Sequence, residues 1–352
     1  MATLNEVAQR AGVTAATVSN VLRNRGRVGA DTRARVLDAV RALGYRPHLA
    51  ARALAEGRAP TVALMVSSIA NPFYPEFALA VEKAVRRNGQ FLIVCNTNDN
   101  PSEGRAYLDQ IAGTISEGIL VTNANLHLPD LLDVQRRGVP VVLCMWERPD
   151  ALPDALPCVA VDFRLAGRLA AQHLIALGHC DVGVIVGGCS EAGVHAARFD
   201  GFVDTMREHG LDVAAVACEP DTIDGGARAA RRLLDAKPRL SALFATNDLP
   251  AIGAMHTAAE RGRRVPDDLS IIGITNIHLA NDVRPALTTV AIPIDEAADL
   301  AVELLNALRE TGGGVGEALP AAARARTTSA PRLLVRGTTG RARPAHGGTR
   351  DR

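Results

Sequence analysis

Long hydrophobic runs, lysine and aromatic residues are all scarce in this chain of 352 residues. No run of about 18 apolar residues occurs, and the first residues do not combine a basic patch with an apolar stretch. We therefore expect neither a membrane span nor a secretory signal peptide, and we expect the protein in the cytoplasm. Because 47% of the residues are hydrophobic, the chain can still bury a large core.

The cysteines lack the spacing of a metal site or of a redox pair. None of them forms a C-x-x-C motif or a Cys/His ligand pattern, so we expect buried free thiols rather than disulfides or zinc ligands. This expectation covers all six cysteines, which are Cys95, Cys144, Cys158, Cys180, Cys189 and Cys218.

The sequence also lacks the motifs that carry common catalytic chemistry. It has no glycine-rich phosphate loop ending in lysine, no G-x-S-x-G, no H-E-x-x-H and no cluster of its nine histidines. We therefore predict that the chain is not an enzyme and holds no cofactor or metal.

Charge is present but unevenly placed. Residues 1–58 carry ten arginines against four acidic residues, a net +6, whereas the remainder holds 29 basic and 34 acidic residues, a net −5. A basic head on a mildly acidic body predicts that the head alone binds a polyanion.

The basic head is predicted to contain three short helices. Thr3 and Glu6 have the spacing of a capping box that starts a helix, and Gly12 ends it after Ala11. Thr14 is placed to cap a second helix over residues 15–22, and a third is expected over residues 30–43, ended by Gly44.

The order of small and branched residues favours a helix-turn-helix. Ala8 allows two helices to cross closely, Gly12 makes the turn, and Val18 locks the second helix. A small three-helix bundle that contacts another protein is the alternative interpretation.

Several short motifs at fixed spacing resemble the headpiece of the lactose-repressor (LacI/GalR) family. They are Leu4-Asn5-Glu6-Val7-Ala8, Ala11-Gly12-Val13-Thr14, Thr17-Val18-Ser19, Val21-Leu22, Thr32-Arg33 and Leu43-Gly44-Tyr45-Arg46-Pro47. The resemblance implies a homodimeric transcriptional regulator, most often a repressor, that places two recognition helices in the major grooves of a near-palindromic operator at the nucleoid.

By position in the resembling family, Ala15, Ala16 and Asn20 are the base-reading residues. Asn20 has the amide that pairs with adenine, whereas the two alanines offer only contact with thymine methyl groups. The other residues expected to contact DNA are Thr14, Thr17, Ser19, Arg23, Arg33 and Arg52, with capping and packing as the alternative role of Thr17 and Ser19.

Residues 47–59 are predicted to form a hinge. They are too short for a helix that is stable in isolation, and in the resembling family this segment folds on DNA. The resemblance implies that Leu54 wedges into the minor groove and couples DNA binding to the body. A plain linker is the alternative.

Beyond the hinge, apolar strands alternate with amphipathic helices, which predicts parallel sheets covered on both faces. Their number favours two doubly wound subdomains rather than one sheet. The predicted strands are residues 62–66, 91–94, 118–121, 139–143, 182–186, 213–217, 242–245 and 269–274. The resemblance implies a final strand at residues 332–335.

The resemblance implies a periplasmic-binding-protein-like core with a small effector in the cleft between the subdomains. We expect a headpiece over 1–46, the hinge over 47–59, the core over 60–339 and a disordered tail over 340–352. Within the core, the first subdomain is expected to take 60–162 and 290–325, and the second 163–289 and 326–339.

Seven residues are expected to contact the effector, again by position in the family. They are Asn71, Phe73, Tyr74, Trp146, Arg198, Asn247 and Thr275, with Asp248 as a weaker candidate that has helix capping as its alternative. A place in the core is the alternative for Phe73, and structural pairing is the alternative for Arg198. Members that bind sugars have carboxylates where this chain has Met145 and Thr275. A less hydroxylated effector, or one whose negative charge meets Arg198, is therefore expected.

Two other functions fit parts of the sequence. The body alone is compatible with a secreted solute-binding protein, but a helix-turn-helix stands where the export signal would be. Whether the effector releases the regulator from DNA or acts as a corepressor stays open, because both use the same coupling with opposite sign.

Overall fold

The computed structural model describes residues 2–22, 26–45, 61–112, 114–122, 128–146, 156–188, 194–310 and 325–343. The chain divides into two compact units, Met1–Pro60 and Thr61–Arg352. The predicted hinge, with Arg52 and Leu54, lies outside the described residues, as does Arg23.

The described residues of the first unit form three helices, α1 (Leu4–Ala11), α2 (Ala15–Leu22) and α3 (Ala30–Leu43). Thr3 Oγ1 accepts the Glu6 N–H, and the Glu6 carboxylate accepts the Thr3 N–H, which confirms the capping box. Gly12 and Gly44 take the left-handed conformation, at φ 63° and 58°, where glycine is unstrained. The core contains the fully buried side chains of Val7, Val18 and Val36.

The second unit alternates strands and helices along the described part of the chain. The strands are β1 (Thr61–Val66), β2 (Phe91–Asn96), β3 (Ile119–Val121), β4 (Val141–Trp146), β5 (Cys158–Ala160), β6 (Val182–Gly187), β7 (Ala215–Glu219), β8 (Ala242–Ala245), β9 (Ser270–Thr275), β10 (Thr288–Ala291), β11 (Ala325–Thr327) and β12 (Arg332–Leu334). The helices are α4 (Phe73–Arg87), α5 (Pro101–Ile111), α6 (Leu128–Arg136), α7 (Phe163–Ala176), α8 (Val194–Glu208), α9 (Ile223–Ala236), α10 (Asp248–Glu260), α11 (Leu279–Asp282) and α12 (Ile294–Glu310).

These strands form two six-stranded sheets. The first has the order β11-β5-β4-β3-β1-β2 and is parallel throughout, and the second has the order β12-β10-β9-β8-β6-β7 with β12 antiparallel to β10. The predicted architecture of two parallel-sheet subdomains is confirmed. Three short strands, β5, β10 and β11, were not predicted because three or four residues carry little periodicity.

Each sheet is covered by helices on both faces. Helices α4 and α12 pack together on one face of the first sheet, and α5 packs with α6 on the other. Successive residues of β1 therefore enter different cores: Leu64 packs with the α4 side and Met65 with the α5 side. This double burial explains the continuous apolar strands in the sequence.

The end of the described chain differs from expectation. Residues 340–352 were predicted to be disordered, but Gly340 N–H donates to Ser270 Oγ (3.0 Å) and Ala342 N–H to the Leu177 carbonyl (2.8 Å). The prediction was wrong for residues 340–343, since backbone hydrogen bonds to the second subdomain hold them.

The cysteine expectation is confirmed for three residues and wrong for two. Cys95, Cys144 and Cys158 are buried free thiols, and burial raises the pKa of Cys144 to about 12. Cys180 is free but exposed, and Cys218 is in a disulfide. Spacing along the sequence does not show which thiols approach in space.

In the described residues, no helix combines the length and apolar character that crossing a bilayer requires.

Candidate functional sites

Helix α2 presents a polar and small-residue surface next to its buried face. Val18 and Val21 are buried, whereas Ala16 and Asn20 are exposed. Thr14 is exposed before the helix, where its Oγ1 accepts the Thr17 N–H (3.2 Å) and lies 2.9 Å from the Thr17 hydroxyl. The predicted DNA-contact residues Thr14, Ala15, Ala16, Thr17, Ser19 and Asn20 thus share one short segment, and Arg33 is half-buried on α3.

A second polar group of residues lies where the parallel strands of the two sheets end. Asn71 follows β1, Asp221 follows β7, Asn247 follows β8, and Thr275 is the last residue of β9. We call these four residues, with His195 and Arg198 on α8, the strand-end cluster. The carboxyl ends of parallel strands are where open α/β sheets place their ligands.

Asp221 is the centre of the strand-end cluster, and sequence reasoning missed it. Asn71 Nδ2 donates to Asp221 Oδ2 across 3.0 Å, and Asn247 Nδ2 donates to the same oxygen across 2.7 Å. Asn71 follows a strand of the first sheet, and Asn247 follows a strand of the second sheet. The Asp221 carboxylate therefore joins the two subdomains.

Asn247 and Thr275 were both predicted effector contacts, and both are engaged within the cluster. Asn247 Oδ1 accepts the Asp248 N–H (2.8 Å) at the start of α10 and also the Thr275 hydroxyl (2.9 Å). Thr275 has φ 129° and Met145 has φ 56°, conformations that non-glycine residues rarely adopt. Backbone strain therefore accompanies the two positions where sugar-binding relatives are expected to carry carboxylates.

Arg198 is buried, with 4% of its surface exposed. Its Nη1 donates to the Thr246 carbonyl across 2.7 Å, and its guanidinium carbon lies 4.7 Å from the centre of the Phe163 ring. One of the five N–H groups of the guanidinium is therefore used to hold Arg198 against the backbone after β8.

His195 was not predicted from the sequence either. Burial, assisted by the charge of Arg198, lowers its pKa to about 4, while Asp221 acts in the opposite sense. The ring is therefore neutral at pH 7. Thr246 Oγ1 accepts the Gly187 N–H and lies 3.1 Å from His195 Nδ1. We assign the Thr246 hydroxyl as donor to Nδ1, which places the ring proton on Nε2, 3.9 Å from Asp221 Oδ2.

Two of the three predicted aromatic contacts, Phe73 and Tyr74, lie within three residues of Asn71 in the sequence. Phe73 packs against the cores of both sheets, and its ring centre lies 5.1 Å from that of Tyr74. Burial raises the pKa of Tyr74, which is hydrogen-bonded to Ser67. Trp146 ends β4, and its side chain lies outside what the structure describes.

A second hydrogen bond links the two subdomains outside the strand-end cluster. Glu76, in the first turn of α4, accepts the His278 N–H across 2.8 Å at the start of α11. Together with the bond between Asn71 and Asp221, it joins the segment that leads into α4 and the first turn of α4 to the second subdomain.

Asp248 is buried and bonded within the second subdomain, which favours a structural role over effector contact. The predicted alternative of helix capping is wrong, because Asn247 caps α10. The Asp248 carboxylate accepts the Thr289 hydroxyl (2.6 Å) and the Ile277 N–H (2.9 Å), yet burial raises its pKa to about 6.

This raised pKa predicts a pH-dependent stability. Between the unfolded pKa near 3.8 and the folded pKa near 6, the folded chain holds the Asp248 proton more tightly than the unfolded chain. The stabilisation is therefore present at low pH and is lost as pH rises through about 6, by about 3 kcal/mol. Urea unfolding at pH 4 to 8 should show a steeper fall for wild type than for Asp248→Asn. Parallel curves for the two proteins would refute this assignment.

Comparisons with known proteins match both parts of the chain to described families. Residues 3–48 match the family described as "Bacterial regulatory proteins, lacI family", and residues 171–339 match "Periplasmic binding protein-like domain". The chain is 33% identical over 342 residues to the HTH-type transcriptional regulator DegA of Bacillus subtilis, covering 96% of this chain and 98% of DegA.

Two further similarities extend the comparison. Catabolite control protein A of Priestia megaterium is 33% identical over 306 residues, which cover 86% of this chain and 91% of that protein. The fold is similar to that of the Lac repressor dimer bound to operator and the anti-inducer ONPF, with a TM-score of 0.81 and 23% identity over 96% of this chain and 99% of that one.

Proposed function

The chain belongs to the lacI family of bacterial regulatory proteins, and we propose that it represses transcription as a homodimer bound to a near-palindromic operator. It is a DNA-binding transcription regulator with an effector-binding core. The observation that carries the proposal is the exposed surface of α2, with Asn20 and Ala16 turned away from the buried Val18.

On DNA, we propose that Asn20 reads a base edge, whereas Ala15 and Ala16 make apolar contacts. An asparagine amide pairs with adenine through two hydrogen bonds, and alanine can only touch a thymine methyl group. Thr14, Thr17, Ser19 and Arg33 are proposed to bind phosphates, which position the helix without reading sequence. The proposed roles of Arg23, Arg52 and the Leu54 wedge rest on sequence alone.

We propose that the strand-end cluster is the effector site. It joins side chains from both subdomains, so a molecule bound there has different contacts when the subdomains move apart. Such differential contact is what allows a ligand to shift a conformational equilibrium. Asn71, Tyr74, Arg198, Asn247 and Thr275 are proposed contacts, with Phe73 and Trp146 from the sequence prediction.

We propose that the chain acts by binding alone and works at the nucleoid. Its similar proteins DegA and catabolite control protein A carry the names of a transcriptional regulator and a control protein, not of an enzyme. The domain limits of 1–46, 47–59 and 60–339, with subdomain boundaries near 162, 289 and 325, remain part of this proposal.

The test is a selection of genomic fragments by the purified full-length protein, followed by sequencing of what is retained. We expect one enriched near-palindromic site with two half-sites, and the neighbouring genes would indicate the regulated pathway. Retention without any enriched sequence, in buffer and again with cell extract added as a source of corepressor, would contradict the proposal.

A further inference from the structure

One oxygen of the central carboxylate receives no donor from the described residues. Asp221 Oδ2 receives both amide donors, while Asp221 Oδ1 is buried and accepts no hydrogen bond from the part of the chain that the structure describes. It lies against Gly187, where an added methyl group would come within 2.8 Å of it. A buried acceptor without a partner costs on the order of 1–3 kcal/mol, and more for a charged group, so this oxygen favours any molecule that brings it a donor.

The neighbouring acceptors of the strand-end cluster are already occupied. Asn71 Oδ1 accepts the Phe73 N–H (3.1 Å), and Asn247 Oδ1 accepts two donors. The Thr246 carbonyl accepts Arg198. Among the acceptor atoms named here, Asp221 Oδ1 is the one for which the described residues supply no donor.

This demand discriminates between classes of small molecule. A polyol brings several hydroxyl donors, each of which needs an acceptor, whereas the cluster offers one. A carboxylate or phosphate would bring its negative charge to that of Asp221, which is unfavourable at short range. A heterocycle with an N–H edge brings one or two donors, and a protonated nitrogen base makes a charge-assisted hydrogen bond with a carboxylate, roughly twice as strong as a neutral one.

We propose that the effector is a small nitrogen base, an amine, an amidine or a heterocycle with an N–H edge, and that Asp221 is its anchoring residue. The proposal rests on the proposed function, since it takes the strand-end cluster as the effector site. It differs from the expectation of an anionic effector for Arg198, because the acceptor that lacks a donor is on Asp221.

Calorimetric titration of the full-length protein with three probe classes tests this assignment. The nitrogen bases are agmatine, cytosine and nicotinamide, the polyols are glucose and ribose, and the anions are succinate and citrate. We expect saturable binding of at least one nitrogen base, and no binding of the polyols or anions. The expected affinity loss in Asp221→Asn is tenfold or more.

Two further variants keep the test decisive. Asp224→Asn removes the same charge from an exposed position three residues away and should bind like wild type. Gly187→Ala keeps the charge but displaces the carboxylate, so it should also weaken binding even if Asp221→Asn fails to fold. Binding of a polyol or anion that Asp221→Asn leaves unchanged, or no binding of any nitrogen base, overturns the proposal.

The two proposals fail separately. A protein that selects a specific genomic site but binds no nitrogen base loses the effector assignment and keeps its regulatory function. A protein that binds a nitrogen base through Asp221 but selects no site, with or without that base, loses the regulatory function instead.

Discussion

Operator affinity is expected to fall by roughly three to five orders of magnitude between about 50 and about 200 mM salt. Residues 1–58 carry a net charge of +6, and a homodimer brings two such segments to the DNA. Each phosphate neutralised by an arginine releases a counterion, and salt opposes that release. Fluorescence anisotropy with the operator found in the genomic selection, at a series of salt concentrations, measures how the logarithm of the affinity changes with the logarithm of the salt concentration. We call this the salt slope.

The salt slope should also show which arginines contact phosphates, because each lost contact makes the slope shallower. Arg33→Ala is expected to lower it by about one for each headpiece, with similar losses on operator and on unrelated DNA. Arg86→Ala provides the control, because Arg86 is an exposed arginine of the second unit that pairs with Glu82. An affinity that does not respond to salt would refute the electrostatic account of the headpiece.

Gly201→Ala is expected to destabilise the second subdomain by more than about 3 kcal/mol, beyond the usual cost of an overpacked core. Gly201 on α8 lies against α7, where a Cβ would overlap the backbone carbonyl of Arg164. Gly167 on α7 has the reciprocal relation to the Arg198 carbonyl, so backbone meets backbone on both sides and no side chain can move to relieve the overlap.

The measurement is urea or thermal unfolding of the full-length protein. Arg207→Ala also introduces alanine into α8, on an exposed position, and should change stability by less than about 0.5 kcal/mol. Because α8 also carries His195 and Arg198, we expect Gly201→Ala to lose effector binding together with stability. A Gly201→Ala protein as stable as wild type would show that α7 and α8 leave room for a methyl group at their crossing.

The headpiece was predictable from sequence because its signals are local. The Thr3 and Glu6 capping box, the turn at Gly12 and the stop at Gly44 each act within a few residues, and all three are present in the structure. The long apolar strands of the body were predictable for a similar reason, since burial on both faces leaves a continuous apolar run.

The effector site was only partly predictable, because it forms between distant segments. Asn71 and Asn247 were named from the resemblance, but Asp221 meets them from 150 and 26 residues away. Nothing in the local sequence marks this aspartate as different from the exposed Asp224. The role of Arg198 also depended on spatial neighbours, since its bond to the Thr246 carbonyl spans 48 residues.

The most direct test of the central claim, that α2 reads DNA sequence, is to titrate wild type and Asn20→Ala with the selected site and a shuffled duplex. Asn281→Ala, an exposed asparagine of the second unit, serves as control. At physiological salt the account predicts that wild type prefers the site by roughly 10³-fold or more. Asn20→Ala should lose about tenfold or more on the site and little on the shuffled duplex. A wild-type preference near one, or equal losses on both duplexes, would contradict it.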